Sequence, residues 1–337
     1  MKESNKLNMI SPISVAGGYW TGSSAVVDLL SEHSECKVIP GEFSLFSFGQ
    51  LFEELFIEID NPDNKTTSFS MNIRRMEDFN KSDLRPLRPF LRKLFTLVNN
   101  YPTLLFNPRS GMKNILGKDY YSSCLKLLKE LDTSKNNLSN LNLDKVKQIV
   151  SEILTSAAQF QKEKESANNV KYGVFDQIIA PPYIKYSKRI IPKMKFINVD
   201  RDYRDQYISL RGIFRRMMAR NRALGIRPFA EDLSIIEKSP IDFMVRLRDR
   251  IESSKKIILE NNNDLMWVSY EELVLNSKEV SSKIFNFLDL DISKWEKGQN
   301  FFPKKSSSRI AKWKRGKWIK EPYKSEIAEL EEKINVF

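Results

Sequence analysis

Eight consecutive residues near the start of the chain restrict its fold more than any other stretch of its 337. Gly17-Gly18-Tyr19-Trp20-Thr21-Gly22-Ser23-Ser24 has the form G-x4-G-S-S. It lies between an apolar run at about 10–16 and a segment with Val26, Leu29, Leu30 and His33 at i, i+3, i+4 and i+7. The run predicts a short strand, and the spacing predicts a helix over 23–33. A glycine-rich turn from strand to helix lets the backbone wrap an anion, and the N–H groups at the helix start bind its oxygens. An ATP loop of the Walker A kind would carry Lys at position 23 and a Mg²⁺-binding hydroxyl at 24. Position 23 is Ser, which argues against an ordinary ATP–Mg²⁺ site.

A second strand at 36–39, stopped by a Pro40-Gly41 turn, completes a β-loop-α-β opening, the start of a parallel α/β sheet. The stretch 43–161 reads as helices and loops, with loops at 136–142 and 162–169. The α/β pattern resumes with a strand at 172–179, the Pro181-Pro182 stop, a helix at 184–190 and a strand at 195–199. A long helix over about 205–222, a strand at 265–268, a helix at 277–288 and an amphipathic helix at 326–334 follow. No internal repeat and no clear boundary interrupts this. The expected architecture is one α/β domain over 1–337, a P-loop-type parallel sheet flanked by helices. Its core would lie at about 10–42 and 172–335, with a largely helical insertion after the second strand, about 43–170.

Composition narrows the classes. At 41% hydrophobic the chain can bury a sizeable core, yet no apolar run approaches the ~20 residues of a membrane span. The polar 1–8 stretch and the run ending in Gly17-Gly18 lack the layout of a signal peptide, so a cytoplasmic location is expected. Cys36 and Cys124 are too few for a disulfide framework or a zinc site, and no metal is expected. The net charge of +12 is unevenly placed: 185–227 holds thirteen Lys/Arg against three Asp, and 304–324 holds nine Lys/Arg against one Glu. Such clustering marks an anionic partner, although a solvated basic face accounts equally well for any single lysine. Without a helix-turn-helix, zinc-finger or RNP-type signature, nucleic acid is not the expected partner. Peripheral membrane contact stays open.

Thr21-Gly22-Ser23-Ser24 before the apolar helix resembles the 5′-phosphosulfate loop of the sulfotransferase family, in the style of its bacterial and carbohydrate branches. The basic residue that the family places before it is replaced by Trp20. The strand 195–199 running into Asp200-Arg201 resembles the family's 3′-phosphate motif, with Arg201, Asp205 and Ser209 at its positions and Tyr203 where a Pro is usual. A guanidinium fork can grip a phosphate dianion, and a helix-borne hydroxyl adds a donor. Ser308-Arg309-Ile310-Ala311-Lys312-Trp313 is similar to the late basic loop over the nucleotide, and Tyr270-Glu271-Glu272-Leu273 to a structural motif after a core strand. The resemblance implies 3′-phosphoadenosine-5′-phosphosulfate (PAPS) as donor and 3′,5′-adenosine bisphosphate as product. Its binding residues would be Gly18, Tyr19, Trp20, Thr21, Gly22, Ser23, Ser24, Arg201, Ser209, Ser308, Arg309 and Lys312. A hydroxyl or amine would be the acceptor, and a carbohydrate is favoured.

Sulfuryl transfer also asks for a base to take the acceptor's proton. Glu42, after the second strand in Val38-Ile39-Pro40-Gly41-Glu42, resembles the general base of the carbohydrate branch. His33 is the only histidine. It sits on the predicted helix's buried stripe, roughly 15 Å from the loop at 1.5 Å per residue, so a structural role is expected. Arg211, Arg215 and Arg222 fall near one face of the long predicted helix and either meet phosphates or an acidic glycan or are solvated. Arg74-Arg75 and the Arg88–Arg92 pair are weaker versions of the same idea. Two other readings remain: an ATP-dependent P-loop kinase with Asp200 in the metal-binding role, and a non-catalytic nucleotide- or glycan-binding relative.

Overall fold

The computed structural model describes residues 10–18, 20–42, 48–60, 123, 126–127, 130–131, 141–164, 169–212, 239–258 and 263–335. Its strands are β1 (Ser11–Gly17), β2 (Cys36–Glu42), β3 (Tyr172–Asp176), β4 (Lys195–Asp200) and β5 (Leu265–Ser269). They form one parallel sheet in the order β2-β3-β1-β4-β5, flanked by helices. The helices used below are α1 (Ser23–Ser31), α2 (Phe48–Asp60), α3 (Leu143–Lys164), α4 (Ile184–Ile190), α5 (203–212 as described), α6 (Pro240–Ile258), α7 (Tyr270–Leu275), α8 (Ser277–Phe287), α9 (Pro303–Ser307) and α10 (Tyr323–Asn335). Most of the 43–170 stretch, including Arg74-Arg75 and Arg88–Arg92, lies outside the described residues, as do Arg215 and Arg222. Among the described residues no helix is long and apolar enough to cross a membrane.

The chain divides into two compact units: Met1–Ser14, Ser34–Ile179 and Tyr183–Met194 in the first, and Val15–His33, Ala180–Pro182 and Lys195–Phe337 in the second. In the first, β2 and β3 run parallel in register from Cys36 opposite Tyr172 to Ile39 opposite Phe175, after which the register shifts and Glu42 faces Asp176. Pro40 and Gly41 therefore lie inside the strand, where a turn was expected. Proline cannot donate to a ladder, but an edge strand with an irregularity accommodates it, and β2 is such an edge. β3 stops at Asp176, short of 179, because Gln177 takes a left-handed conformation (φ 58°) that no strand can continue.

Helix α3 buries Val146, Val150, Ile153, Leu154, Ala157 and Ala158, the spacing of one helical face, and runs three residues into the loop expected at 162–169. A Cβ on Gly173 would lie 2.9 Å from that of Ala158, so α3 packs closely over β3. Helices α2 and α4 meet through Phe56 stacked on Tyr186, with Arg189 over the Phe56 ring and bonded twice to Asp60, at 2.7 and 3.2 Å.

In the second unit, α1 ends at Ser31, and the two residues expected to continue it serve another purpose. Glu32 is buried, and its carboxylate accepts from Trp295 Nε1 (2.9 Å) and the amides of Asn300 (2.7 Å) and Phe301 (2.6 Å). His33, equally buried, donates from Nε2 to the Asp291 carbonyl at 2.9 Å and packs on Phe285. Its role in this fold is to moor the 291–301 segment, in line with the structural reading. Burial pushes the Glu32 carboxyl up, but the Phe301 and Asn300 amides and the Trp295 indole outweigh that and hold it below its ordinary value.

Helix α6 was not foreseen. The Ser239 hydroxyl accepts from the Asp242 amide at 3.3 Å, Pro240 occupies the first turn, and Ile241, Met244 and Ile251 are buried. With Tyr207, Leu210 and Leu330, Ile241 and Met244 build a cluster joining α5, α6 and α10.

Candidate functional site

The glycine loop departs from the end of β1 as a tight turn in which the Thr21 amide donates to the Gly18 carbonyl at 3.2 Å. Trp20 takes a left-handed backbone (φ 58°), and its side chain packs against the α5–α6–α10 cluster. Where the family resemblance has a cation, this chain therefore has an apolar anchor tying the loop to the core. Gly22 precedes α1 with φ 93°, and a Cβ there would come within 2.5 Å of the Tyr270 ring. Glycine is needed on both counts. Gly17 is as confined, since a Cβ would lie 2.0 Å from Thr21 Oγ1 and 2.5 Å from the Val199 carbonyl. Thr21 Oγ1 is thus turned back under the loop, buried and without a hydrogen-bond partner. The first turn of α1 has no acidic residue and no side-chain cap, with Ser23 buried and Ser24 exposed. Such a helix start favours negative charge. Tyr19 lies outside the described residues.

Arg201 follows β4 and is 6% exposed. Its Nη1 donates to the Trp20 carbonyl (3.1 Å) and to Ser209 Oγ (3.3 Å), and its Nη2 to the Arg309 carbonyl (2.7 Å). The guanidinium lies 4.9 Å from the Tyr270 ring centroid, and Nε has no partner. One cation thus joins the glycine loop, α5 and the late basic segment through neutral acceptors only. The resemblance to the 3′-phosphate motif implied that Ser209 and Arg201 act together, and the structure brings the two side chains into contact.

The late segment is held from the other side. Ala311 has a left-handed backbone (φ 52°), which turns its amide and that of Lys312 onto the Asp205 carboxylate at 2.6 and 2.7 Å. Successive amides in that conformation make a concave anion seat, here filled by Asp205. Burial raises the Asp205 carboxyl, with Arg201 and the two amides pulling against it. Burial, then the nearby Arg201 and Arg309, lowers the Lys312 ammonium, with Asp205 pulling the other way. Ser308 is exposed and its hydroxyl donates to the Lys305 carbonyl at 2.8 Å, so its described role is local.

Two sets of contacts in this region were not foreseen from the sequence, although Tyr270 belongs to the motif at 270–273 read there as structural. Asp200 accepts from Arg248 Nη1 and Lys255 Nζ, both at 2.6 Å, through opposite carboxylate oxygens. Burial raises its carboxyl, but Arg248 and Lys255 hold it below the ordinary range overall. Tyr270 packs under Gly22 and Arg201 and donates its hydroxyl to the Ser306 carbonyl at 3.3 Å. It is the ring on which loop, strand end and late segment close. Among the described residues no group of His, Cys, Asp and Glu could hold a metal ion. Glu42 ends β2, and its side chain lies outside the described ones.

No protein-family model matches the chain, and no curated protein does. Among solved structures it is similar to the sulfotransferase STF9 from Mycobacterium avium, at 11% identity over 97% of this chain and 76% of that one, TM-score 0.41. It is also similar to the sulfotransferase domain from the curacin biosynthetic pathway, at 13% identity over 97% and 98%, TM-score 0.43. A third is the sulfotransferase domain from the Synechococcus PCC 7002 olefin synthase, at 14% identity over 97% and 95%, TM-score 0.41.

Proposed function

We propose that this chain is a sulfotransferase that moves a sulfuryl group from PAPS to a hydroxyl or amine, with a carbohydrate hydroxyl as the favoured acceptor. The observation that carries this reading is the Arg201 guanidinium, buried and held by neutral acceptors from three separate segments. A buried cation without a bonded carboxylate is costly unless an anion joins it. A phosphate dianion supplies that charge, and the neighbouring Lys312 and Arg309 extend the same field.

In this reading Arg201 and Ser209 grip the 3′-phosphate, while the amides of the glycine loop and of the α1 start take the 5′-phosphosulfate. The acceptor oxygen attacks sulfur. As the new S–O bond forms, the bond from sulfur to the phosphate oxygen breaks, and its electron pair leaves with the bisphosphate. Trp20 is committed to the core, so the charge that stabilises this departure falls to Lys312 or Arg309. Positioned cations of this sort act where charge develops in the transition state. The acceptor's proton goes to the Glu42 carboxylate, an assignment that rests on the resemblance of its strand-end position.

An ATP–Mg²⁺ kinase would need Asp200 for its metal, and both of its carboxylate oxygens are bonded to cations. Calorimetry separates the readings. Tight binding of 3′,5′-adenosine bisphosphate, much weaker binding of AMP and no gain from Mg²⁺ with ATP are expected. Equal affinity for the bisphosphate and AMP would sink the assignment.

A further inference from the structure

Several cations of the second unit have partners: Arg204, Arg211, Arg248, Lys255 and Lys333 each contact a carboxylate. The segment 314–324 gathers cations that do not. Lys314, Arg315, Lys317, Lys320 and Lys324 are exposed, and none has an ion pair with a described residue. The one acid among them, Glu321, accepts from the Ser325 amide at 3.4 Å, which leaves the strip with five cations against one carboxylate. Apolar groups share this surface. Ile319 is 53% exposed, and Trp318 meets Tyr323 edge-on at 4.7 Å, with Lys317 4.8 Å from one ring and 5.1 Å from the other.

We infer that this strip docks the protein on an anionic lipid surface. The lysines engage the headgroups, the aromatic pair sits at their level, and Ile319 enters the acyl boundary. Ile319 decides between lipid and a soluble polyanion. An exposed aliphatic chain offers a glycan or nucleic acid neither a hydrogen bond nor a stacking face, but it gains by leaving water for hydrocarbon. The surface adjoins the late basic segment, since Arg315 Nη2 donates to the Ser308 and Ile310 carbonyls. Lys317, Ile319 and Lys320 are nevertheless not among the proposed nucleotide-binding residues, and their role does not depend on which donor the glycine loop holds.

Sedimentation of the full chain with phosphatidylcholine vesicles, with and without phosphatidylglycerol, tests it. Binding should require the anionic lipid and weaken with salt. Replacing Lys317 and Lys320 together by Gln should lower the partition about 25-fold, at roughly fivefold per cation. Ile319→Ser should lower it about tenfold, while binding of dextran sulfate stays at the wild-type level. Retained affinity for the bisphosphate would show that both variants are folded. Failure of the wild-type chain to bind anionic vesicles at low salt would overturn the inference. So would an Ile319→Ser variant that partitions like the wild type, since the strip would then read charge alone and a soluble polyanion would be its occupant.

Discussion

Arg201 and Arg204 stand three residues apart at the same strand-to-helix junction, yet their surroundings are opposite in kind. Arg204 is surrounded by negative charge: Nε donates to Asp202 at 3.0 Å, Nη1 to Glu331 at 2.9 Å, and the guanidinium lies 3.8 Å from the Trp313 ring centroid. Those partners, the Asp202 hydrogen bond first, push its pKa further above the ordinary arginine value. Arg201 is more deeply buried and bonds only to two carbonyls and a hydroxyl. Asp205 is close enough to feel Arg201, but its oxygens are engaged by two amides. A saturated arginine welds elements together. An arginine held in place by neutral groups is oriented while its charge remains to be matched, which is what an anion site requires.

The largest expected effect lies outside both regions and so tests whether the division is complete. Glu42→Gln cannot accept a proton, and turnover should fall about 10²–10⁴-fold with bisphosphate affinity unchanged, measured on a common acceptor found by screening glycans with labelled PAPS. A loss of affinity alongside turnover would place Glu42 in binding, and an active variant would remove it as the base. The direct break comes next. Arg201→Ala should erase the preference for 3′,5′-adenosine bisphosphate over AMP, a loss of roughly 1.5–3 kcal/mol, or about 10- to 150-fold. Arg204→Ala should keep that preference and instead cost about 1–3 kcal/mol of stability, read from denaturant unfolding. If both variants lose the preference equally, the contrast between the two arginines has no functional meaning.

That contrast was half visible in the sequence. The glycine loop, the strand before it and the helix after it are local features, and the periodicity of 23–30 and the G-x4-G-S-S spacing were enough to place them. Arg201 and Ser209 were also within reach through the resemblance to the 3′-phosphate motif, and the short, regular path from a strand end to the second turn of the next helix lets that pairing form. The Arg204 side depends on Glu331, 127 residues away, and Asp205 on amides more than a hundred residues distant. Nothing local encodes such pairings. Helix α6 is a different failure. Its Ser239-Pro240 start was legible, but the charged run Arg246 to Asp249 diluted an apolar stripe that only Ile241, Met244 and Ile251 carry inward. Pro40 and His33 misled for the opposite reason. A proline usually ends a strand and a helical spacing usually continues, and here a register shift and a mooring contact overrode both.

A smaller effect sharpens the contrast through pH. Burial and the cations Arg201 and Arg309 depress Lys312 in the free protein, and an anion beside it should restore its pKa. The bound form then holds a proton that the free form has begun to lose. Bisphosphate affinity should therefore fall by a few-fold as pH rises through the depressed value, with proton uptake on binding. Calorimetry in alkaline buffers of different ionisation enthalpy reads this directly. Lys312→Met should abolish the uptake. No buffer dependence in the wild-type protein would mean that Lys312 does not face the ligand.

The smallest expected effect concerns Ala311, whose backbone lets the late segment close on Asp205. Its φ of 52° and ψ of 36° are left-handed, a conformation in which a Cβ costs roughly 1–2 kcal/mol. Glycine removes that cost but gives the unfolded chain more freedom, worth about 0.4–1 kcal/mol in the other direction. Ala311→Gly should thus stabilise the protein by only about 0.5 kcal/mol, near the limit of a denaturant melt, while the amides of residues 311 and 312 keep their bonds to the Asp205 carboxylate. Asp205→Ala, which empties the seat, should remove that gain, because without a carboxylate the left-handed turn has no reason to persist. A double-mutant cycle over the two positions measures the coupling. If Ala311→Gly stabilises equally with and without Asp205, the left-handed turn is set by the chain around it, and the carboxylate merely fills a seat already formed.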